Sequence, residues 1–176
     1  DQRERMRALS LSQPWAWVVV HGGKRVENRP WKLPAKVKGE RVAIHAALSW
    51  DQKAFFDLCT GVYGEVPHLP RRWEHYERGK IIGTAVPSGM VVARFGPAPS
   101  RTAGMSEFDY AEDDNDAYAD RLALPDDQAR FYFGEVHNGK PNYGFHLDSV
   151  APIAPVIPCR GALSFWTLPP AVDSQV

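Results

Sequence analysis

The 176-residue chain is 44% hydrophobic and 24% charged, with 21 basic side chains balanced by 21 acidic ones; this fits one compact globular domain, 1–176, and excludes a disordered polypeptide. A formal net charge of zero argues against a protein that coats nucleic acid through bulk charge. No apolar run approaches the roughly 20 residues that cross a bilayer, so a soluble chain with no membrane partner is expected.

Met6 to Leu11 alternates, with Leu9 and Leu11 on one face, and predicts a first strand. Ser12 then has the character of a helix N-cap, Pro14 is tolerated in a first turn, and Trp15 to His21 predicts a short apolar helix that Gly22-Gly23 can close. Val26 to Trp31 reads as extended, with Glu27, Arg29 and Trp31 on one face, and Arg41 to Ala46 is a second clear strand. Ser49-Trp50-Asp51-Gln52 has the form of a capping box, which starts a helix running to about Thr60 and stopped by Gly61.

A loop follows over Val62 to Arg72, then a short helix near Trp73 to Arg78. Lys80 to Phe95 is β-branched and interrupted by Pro87-Ser88-Gly89, consistent with two strands or one bent strand. An acidic, loop-rich insertion at about 97–127 has room for a helix over Asp116 to Leu122. Phe131 to Phe133, Asn142 to Leu147 and Leu163 to Leu168 complete the strands, with proline-spaced Ala151 to Pro158 between the last two. Many short strands, few short helices and no βαβ rhythm predict an α+β, mostly β chain: a small, largely antiparallel barrel with short helices packed around it.

Charge is unevenly placed along this order. Asp1 to His45 carries ten Lys or Arg against four Asp or Glu, whereas Glu107 to Asp127 carries nine acidic residues against Arg121. A basic N-terminal third can contact phosphates, and the acidic segment can either limit the reach of a polyanion or serve a protein partner. Cys59 and Cys159 are the only cysteines, and the opening Asp1-Gln2-Arg3-Glu4-Arg5 contains no secretory signal, which suits a reduced, cytoplasmic location. The six histidines show neither HxH nor HxxxH spacing and no Cys pair lies near them, so no metal and no cofactor is expected.

Leu9-Ser10-Leu11-Ser12-Gln13-Pro14-Trp15-Ala16, followed by Gly22-x-Lys24-x-x-Glu27-x-Arg29, resembles the signature of the ASCH domain, a member of the PUA-like superfamily of small β-barrels. The strand Arg41 to Ala46 and the closing Gly161 to Pro169 extend the likeness over nearly the whole chain. The resemblance implies RNA or other nucleic-acid binding in a cleft beside the motif, and for some members hydrolysis.

Physics of the motif points the same way. A helix ending at Gly22-Gly23 presents carbonyls, which favour Lys24 and not a phosphate, so this is no P-loop. Glu27 and Arg29 lie two apart on a strand and can pair. Arg29 offers a planar fork to a phosphate or base edge, and Glu27 can accept from an exocyclic amine such as that of cytosine. Trp15 and Trp31 are the stacking candidates, and His45 can reach the cluster from its strand or serve the core. The expected binding set is thus Trp15, Lys24, Glu27, Arg29, Trp31 and His45, with RNA, a single-stranded nucleic acid or a modified nucleoside as partner.

The alternative is enzymatic. Bacterial ASCH-fold amidohydrolases that remove the acyl group from N4-acetylcytidine carry Gly-x-Lys-x-x-Thr-x-Arg, with the lysine and threonine catalytic. Here Lys24 matches the lysine, while Glu27 stands in the threonine's place. Glu27 would then activate water, with Lys24 and Arg29 steadying the oxyanion. A ribonuclease using Lys24 and His45 is the remaining enzymatic reading. Because a carboxylate beside a lysine stabilises the ammonium, the glutamate favours recognition over catalysis.

Overall fold

The computed structural model describes residues 4–93, 126–132 and 142–176. The insertion expected at about 97–127, including its 116–122 helix, lies outside the described residues apart from its last two positions. The described elements are six strands, four short helices and one 3₁₀ turn, the strand-dominated α+β class expected.

The chain divides into two compact units, Asp1–Lys24 with Glu40–Val86 and Asp148–Val176, and Arg25–Gly39 with Pro87–Leu147. In the first, β1 (Arg7–Gln13) runs parallel to β3 (Val42–Trp50) and antiparallel to β6 (Phe165–Thr167). Strand β3 pairs antiparallel with β4 (Lys80–Ala93), with a bulge between Ile44 and His45, and β5 (Asn142–Pro158) lies beyond β4. Ala8, Ala43, Ile81, Ile157, Cys159, Leu168 and Val172 form a core cluster there. In the second unit, β2 (Val26–Arg29) pairs antiparallel with the start of β5, Glu27 opposite Phe145 and Arg29 opposite Tyr143. Its small core joins Val26, Val91 and Tyr132. Strands β4 and β5 each pass from one unit into the other.

Several local expectations are corrected. Ser12 does not cap α1 (Trp15–Val20): β1 continues through Gln13, Pro14 takes the N-cap position, and the Gln13 amide oxygen accepts the Trp17 N–H at 2.9 Å. Ser49 likewise stays in β3, and Asp51 caps α2 (Gln52–Cys59) by accepting the Ala54 N–H at 2.9 Å. The expected helix after Arg72 is a single 3₁₀ turn, Trp73–His75. Of the strand expected over Phe131 to Phe133, Phe131 instead lies in the turn after the short helix α3 (Asp126–Ala129), its N–H bonded to the Gln128 carbonyl, Tyr132 is in no strand, and Phe133 lies outside the described residues.

The largest difference concerns β5, which runs straight through Pro152, Pro155 and Pro158. Proline supplies no ladder donor and is tolerated where one strand edge needs no partner. Over Asp148–Pro158 the strand is the last in the order of its own unit, and most of that stretch is exposed. The final helix, α4 (Pro170–Asp173), starts with a proline at N1, where no N–H is required.

Glycine permits one close approach that positions α1. A Cβ on Gly83 of β4 would stand 2.7 Å from the Ala151 carbonyl oxygen of β5 and 3.0 Å from Val20 of α1. Gly83→Ala is therefore expected to cost about 1–3 kcal/mol through overpacking, read as a lower urea midpoint with unchanged far-ultraviolet circular dichroism.

Candidate functional site

Helix α1 delivers Lys24 to its place. The helix closes with Gly22 N–H and Lys24 N–H both bonded to the Val18 carbonyl, at 2.9 and 3.1 Å, and Gly23 takes φ +80° between them. That left-handed residue is what the Gly-Gly pair supplies. Gly22 meets a second demand, since a Cβ there would lie 2.9 Å from Val18 Cα and 3.0 Å from Val66. The reversal turns Lys24 inward, where it is 1% exposed, and its Nζ lies 5.2 Å from the centroid of the Trp15 ring. Trp15 meets Tyr63 edge-on at 5.4 Å. A desolvated cation–π contact of this kind is worth about 2 kcal/mol or more, so the indole compensates part of the cost of burying the ammonium.

The second unit holds the other half of the motif. On β2, Glu27 is 7% exposed, and its Oε1 accepts from Arg29 Nε at 3.0 Å, the pairing expected from their spacing. The Arg29 guanidinium lies 5.7 Å from the Trp31 ring, and Trp31 packs edge-on against the buried Phe145 at 5.2 Å. Strand pairing stops at Arg29, so Trp31 joins the array from the bend that follows. Carboxylate, guanidinium and indole thus form one continuous polar-to-aromatic array on a single unit.

Around this array, residues that the motif did not single out fix the backbone. Arg25 N–H donates to the Gln128 amide oxygen at 2.6 Å, and Asn28 Nδ2 donates to the Phe131 carbonyl at 2.9 Å. Gln128 and Phe131 follow the expected insertion in sequence, and nothing in their local pattern links them to β2. Gly144 has the same character: a Cβ there would come within 2.8 Å of Tyr132 and 2.9 Å of Val26.

His45 sits elsewhere in the first unit, 2% exposed, with both ring nitrogens engaged. Its Nε2 is 2.9 Å from the Cys159 carbonyl oxygen and its Nδ1 is 3.0 Å from Ser10 Oγ. A carbonyl can only accept, so Nε2 carries the proton and Nδ1 accepts from the Ser10 hydroxyl. Trp166 Nε1–H donates to the same Ser10 oxygen at 3.0 Å, and its ring meets His45 edge-on at 5.6 Å. A Cβ on Gly161 would stand 2.3 Å from His45 Cε1, so only glycine fits against this ring. These contacts place His45 in a relay that ties β1, β3 and β6 to the end of β5.

Among the described residues, no group of three or more His, Cys, Asp or Glu could hold a metal ion. Among the same residues, no helix is long and apolar enough to cross a membrane. Residues 9–95 match the model of the ASCH domain. Among solved structures, the chain is similar to the ASCH protein of Zymomonas mobilis at 19% identity, covering 97% of this chain and 92% of that one with a TM-score of 0.47. Two mutant forms of that protein match at 18% identity and the same TM-score, each covering 98% of this chain and 93% or 95% of its own.

Burial holds the His45 imidazole below its ordinary 6.5, partly offset by the bond to Cys159. The unfolded chain therefore takes up this proton first on acidification. The contribution is fully present above pH 6.5 and is lost as pH falls below it toward the folded value. Urea midpoints should therefore drop between pH 7 and 5, and His45→Gln should flatten that slope. His21, also lowered by burial, adds a remainder of the same sign.

Proposed function

We propose that this chain, an ASCH domain protein, is a nucleic-acid-binding domain that recognises a base of single-stranded RNA, or a modified nucleoside, at the Gly22 to Arg29 element. The observation that carries the reading is the Glu27–Arg29–Trp31 array, in which a carboxylate is paired to a guanidinium that itself lies over an indole. An unstacked base needs a hydrogen-bonding edge beside an aromatic face, and this array offers both. Glu27 accepts from an exocyclic amine, Arg29 supplies planar donors, and Trp31 supplies the stacking surface.

Trp15 adds a second aromatic face within the other unit, with the Lys24 ammonium held against it and withdrawn from solvent. The footprint on this reading is one or two nucleotides, in keeping with the zero net charge. We assign His45 to support of the sheet, because both its ring nitrogens are engaged within the protein. That assignment leaves little for a ribonuclease built on Lys24 and His45.

A hydrolase acting on N4-acylated cytidine is the second reading, favoured by one observation, the nearly complete burial of Lys24. Burial opposes the charged form of an amine, as a general base requires, whereas the Trp15 face favours it. Glu27 would serve there as the water-activating carboxylate, but in this structure it is bonded to Arg29.

Equilibrium binding of a short single-stranded RNA and of cytidine separates the readings. Trp31→Ala and Arg29→Ala should each weaken binding by about five- to a hundredfold, the range expected for one lost stack or one bidentate contact. Affinity for cytidine monophosphate should change little between low and moderate salt, whereas a steep dependence would show that phosphate contacts carry the binding and reject base recognition. Incubation with N4-acetylcytidine should leave it intact; deacylation that disappears in Lys24→Ala would establish the hydrolase instead.

A further inference from the structure

Gln13 of the same Gln-Pro-Trp segment lines a cavity of the first unit to which the Gly22 to Arg29 element contributes no residue. Its volume is about 220 Å³, and Trp17, His21, His75 and Glu77 line it over a floor that includes Gln13 and Ile82. Pockets for drug-sized ligands run from about 300 Å³ upward, so this one suits a single planar ring and is too small for a folded peptide motif.

The lining has the chemistry of a base pocket. Trp17 provides the aromatic wall and the His21 ring continues it, 5.5 Å away and tilted by 39°. Burial lowers the His21 pKa, so near neutrality the ring offers one donor and one acceptor, not a charge. Glu77, paired with Lys80, adds acceptor-only oxygens. The wall is held rigidly: the Gln13 amide bridges α1 and this rim by accepting the Trp17 N–H at 2.9 Å and donating to the Glu77 carbonyl at 2.7 Å.

The chain that forms the rim is cationic. Arg71, Arg72, Arg78 and Lys80 stand against Glu74 and Glu77 over ten residues. Within it Trp73, 50% exposed, carries the Arg78 guanidinium over its ring at 5.1 Å. An exposed indole backed by arginine is a stacking surface for a single strand, and the neighbouring cations suit its phosphates.

We infer that this cavity is a second base-binding pocket, taking the amino-bearing ring of cytosine or adenine from a single strand whose backbone passes over Arg71 to Lys80. The inference rests on the nucleic-acid reading above for the source of the base. Glu77 accepts from the exocyclic amine, Trp17 stacks on the ring face, and Trp73 receives the adjoining base.

The test follows histidine-ring and indole resonances of the whole chain by NMR as cytidine monophosphate or uridine monophosphate is added. Cytidine monophosphate should shift His21, His75 and Trp17 saturably, and more tightly than uridine monophosphate. Glu77→Gln should erase that preference, a change of about tenfold. The shifts should persist in the Arg29→Ala, Trp31→Ala double variant, which separates the two sites. Binding of an oligocytidine to the intact chain that leaves His21 and His75 unmoved would overturn this pocket while the Glu27–Arg29–Trp31 reading stands. Shifts that survive when oligonucleotide affinity is insensitive to Arg29 and Trp31 would support this pocket and reject that reading. Shifts produced by free arginine but not by cytidine monophosphate would make it a pocket for a protein side chain and overturn the inference.

Discussion

One buried amide sets where the first helix and its neighbouring segments lie. Gln13 is fully buried, and three elements are referred to it: its side-chain oxygen starts α1 by accepting the Trp17 N–H, its side-chain nitrogen holds the Glu77 carbonyl, and its backbone oxygen accepts the Asp51 N–H at the entry to α2. Neither a hydrophobic residue nor a shorter amide makes these bonds together. An orphaned buried polar group costs about 1–3 kcal/mol, so the three contacts hold as a set. The origin of α1 then dictates the rest, because a helix of six residues that starts at Trp15 must end where Gly22 and Gly23 can reverse the chain and send Lys24 inward.

The two halves of the motif handle charge differently. Lys24 is withdrawn from water and set against an aromatic face, whereas Glu27 and Arg29 are partly neutralised by each other and lean on Trp31. In both, an indole stands beside the cation, which explains the tryptophan content of the segment better than core packing does: Trp15, Trp17 and Trp31 are all only half-buried, while the aliphatic residues of α1 fill the core. An indole attracts a cation through its ring face, and the same face stacks on a base. On the proposed reading, recognition needs no large positive field, consistent with the balanced charge of the chain.

Much of this was legible in the residues themselves. Alternation located β1 and β3, the Gly-Gly pair located the end of α1, and the spacing of Glu27 and Arg29 foretold their ion pair. Three things were not legible. Ser12 and Ser49 have the chemistry of helix caps but lie in strands, because pairing between β1 and β3 extends that far and overrides the local preference. The prolines of β5 read as a break because sequence does not disclose which strand edge lacks a partner. Gln128, Phe131 and Gly161 owe their importance to residues about a hundred positions away, which no local pattern encodes.

The relay through His45 has a fixed direction. The Cys159 carbonyl decides which imidazole nitrogen holds the proton, that choice orients the Ser10 hydroxyl, and the hydroxyl presents its oxygen to the Trp166 indole. Protonating Nδ1 would reverse its bond to Ser10 and compel the serine hydrogen to turn away, leaving the hydroxyl oxygen to accept from both rings. The electronic surroundings of one indole on β6 thereby register a titration that occurs on β3. Trp166 is in effect a native optical probe of a buried proton, wired to it through a single hydroxyl.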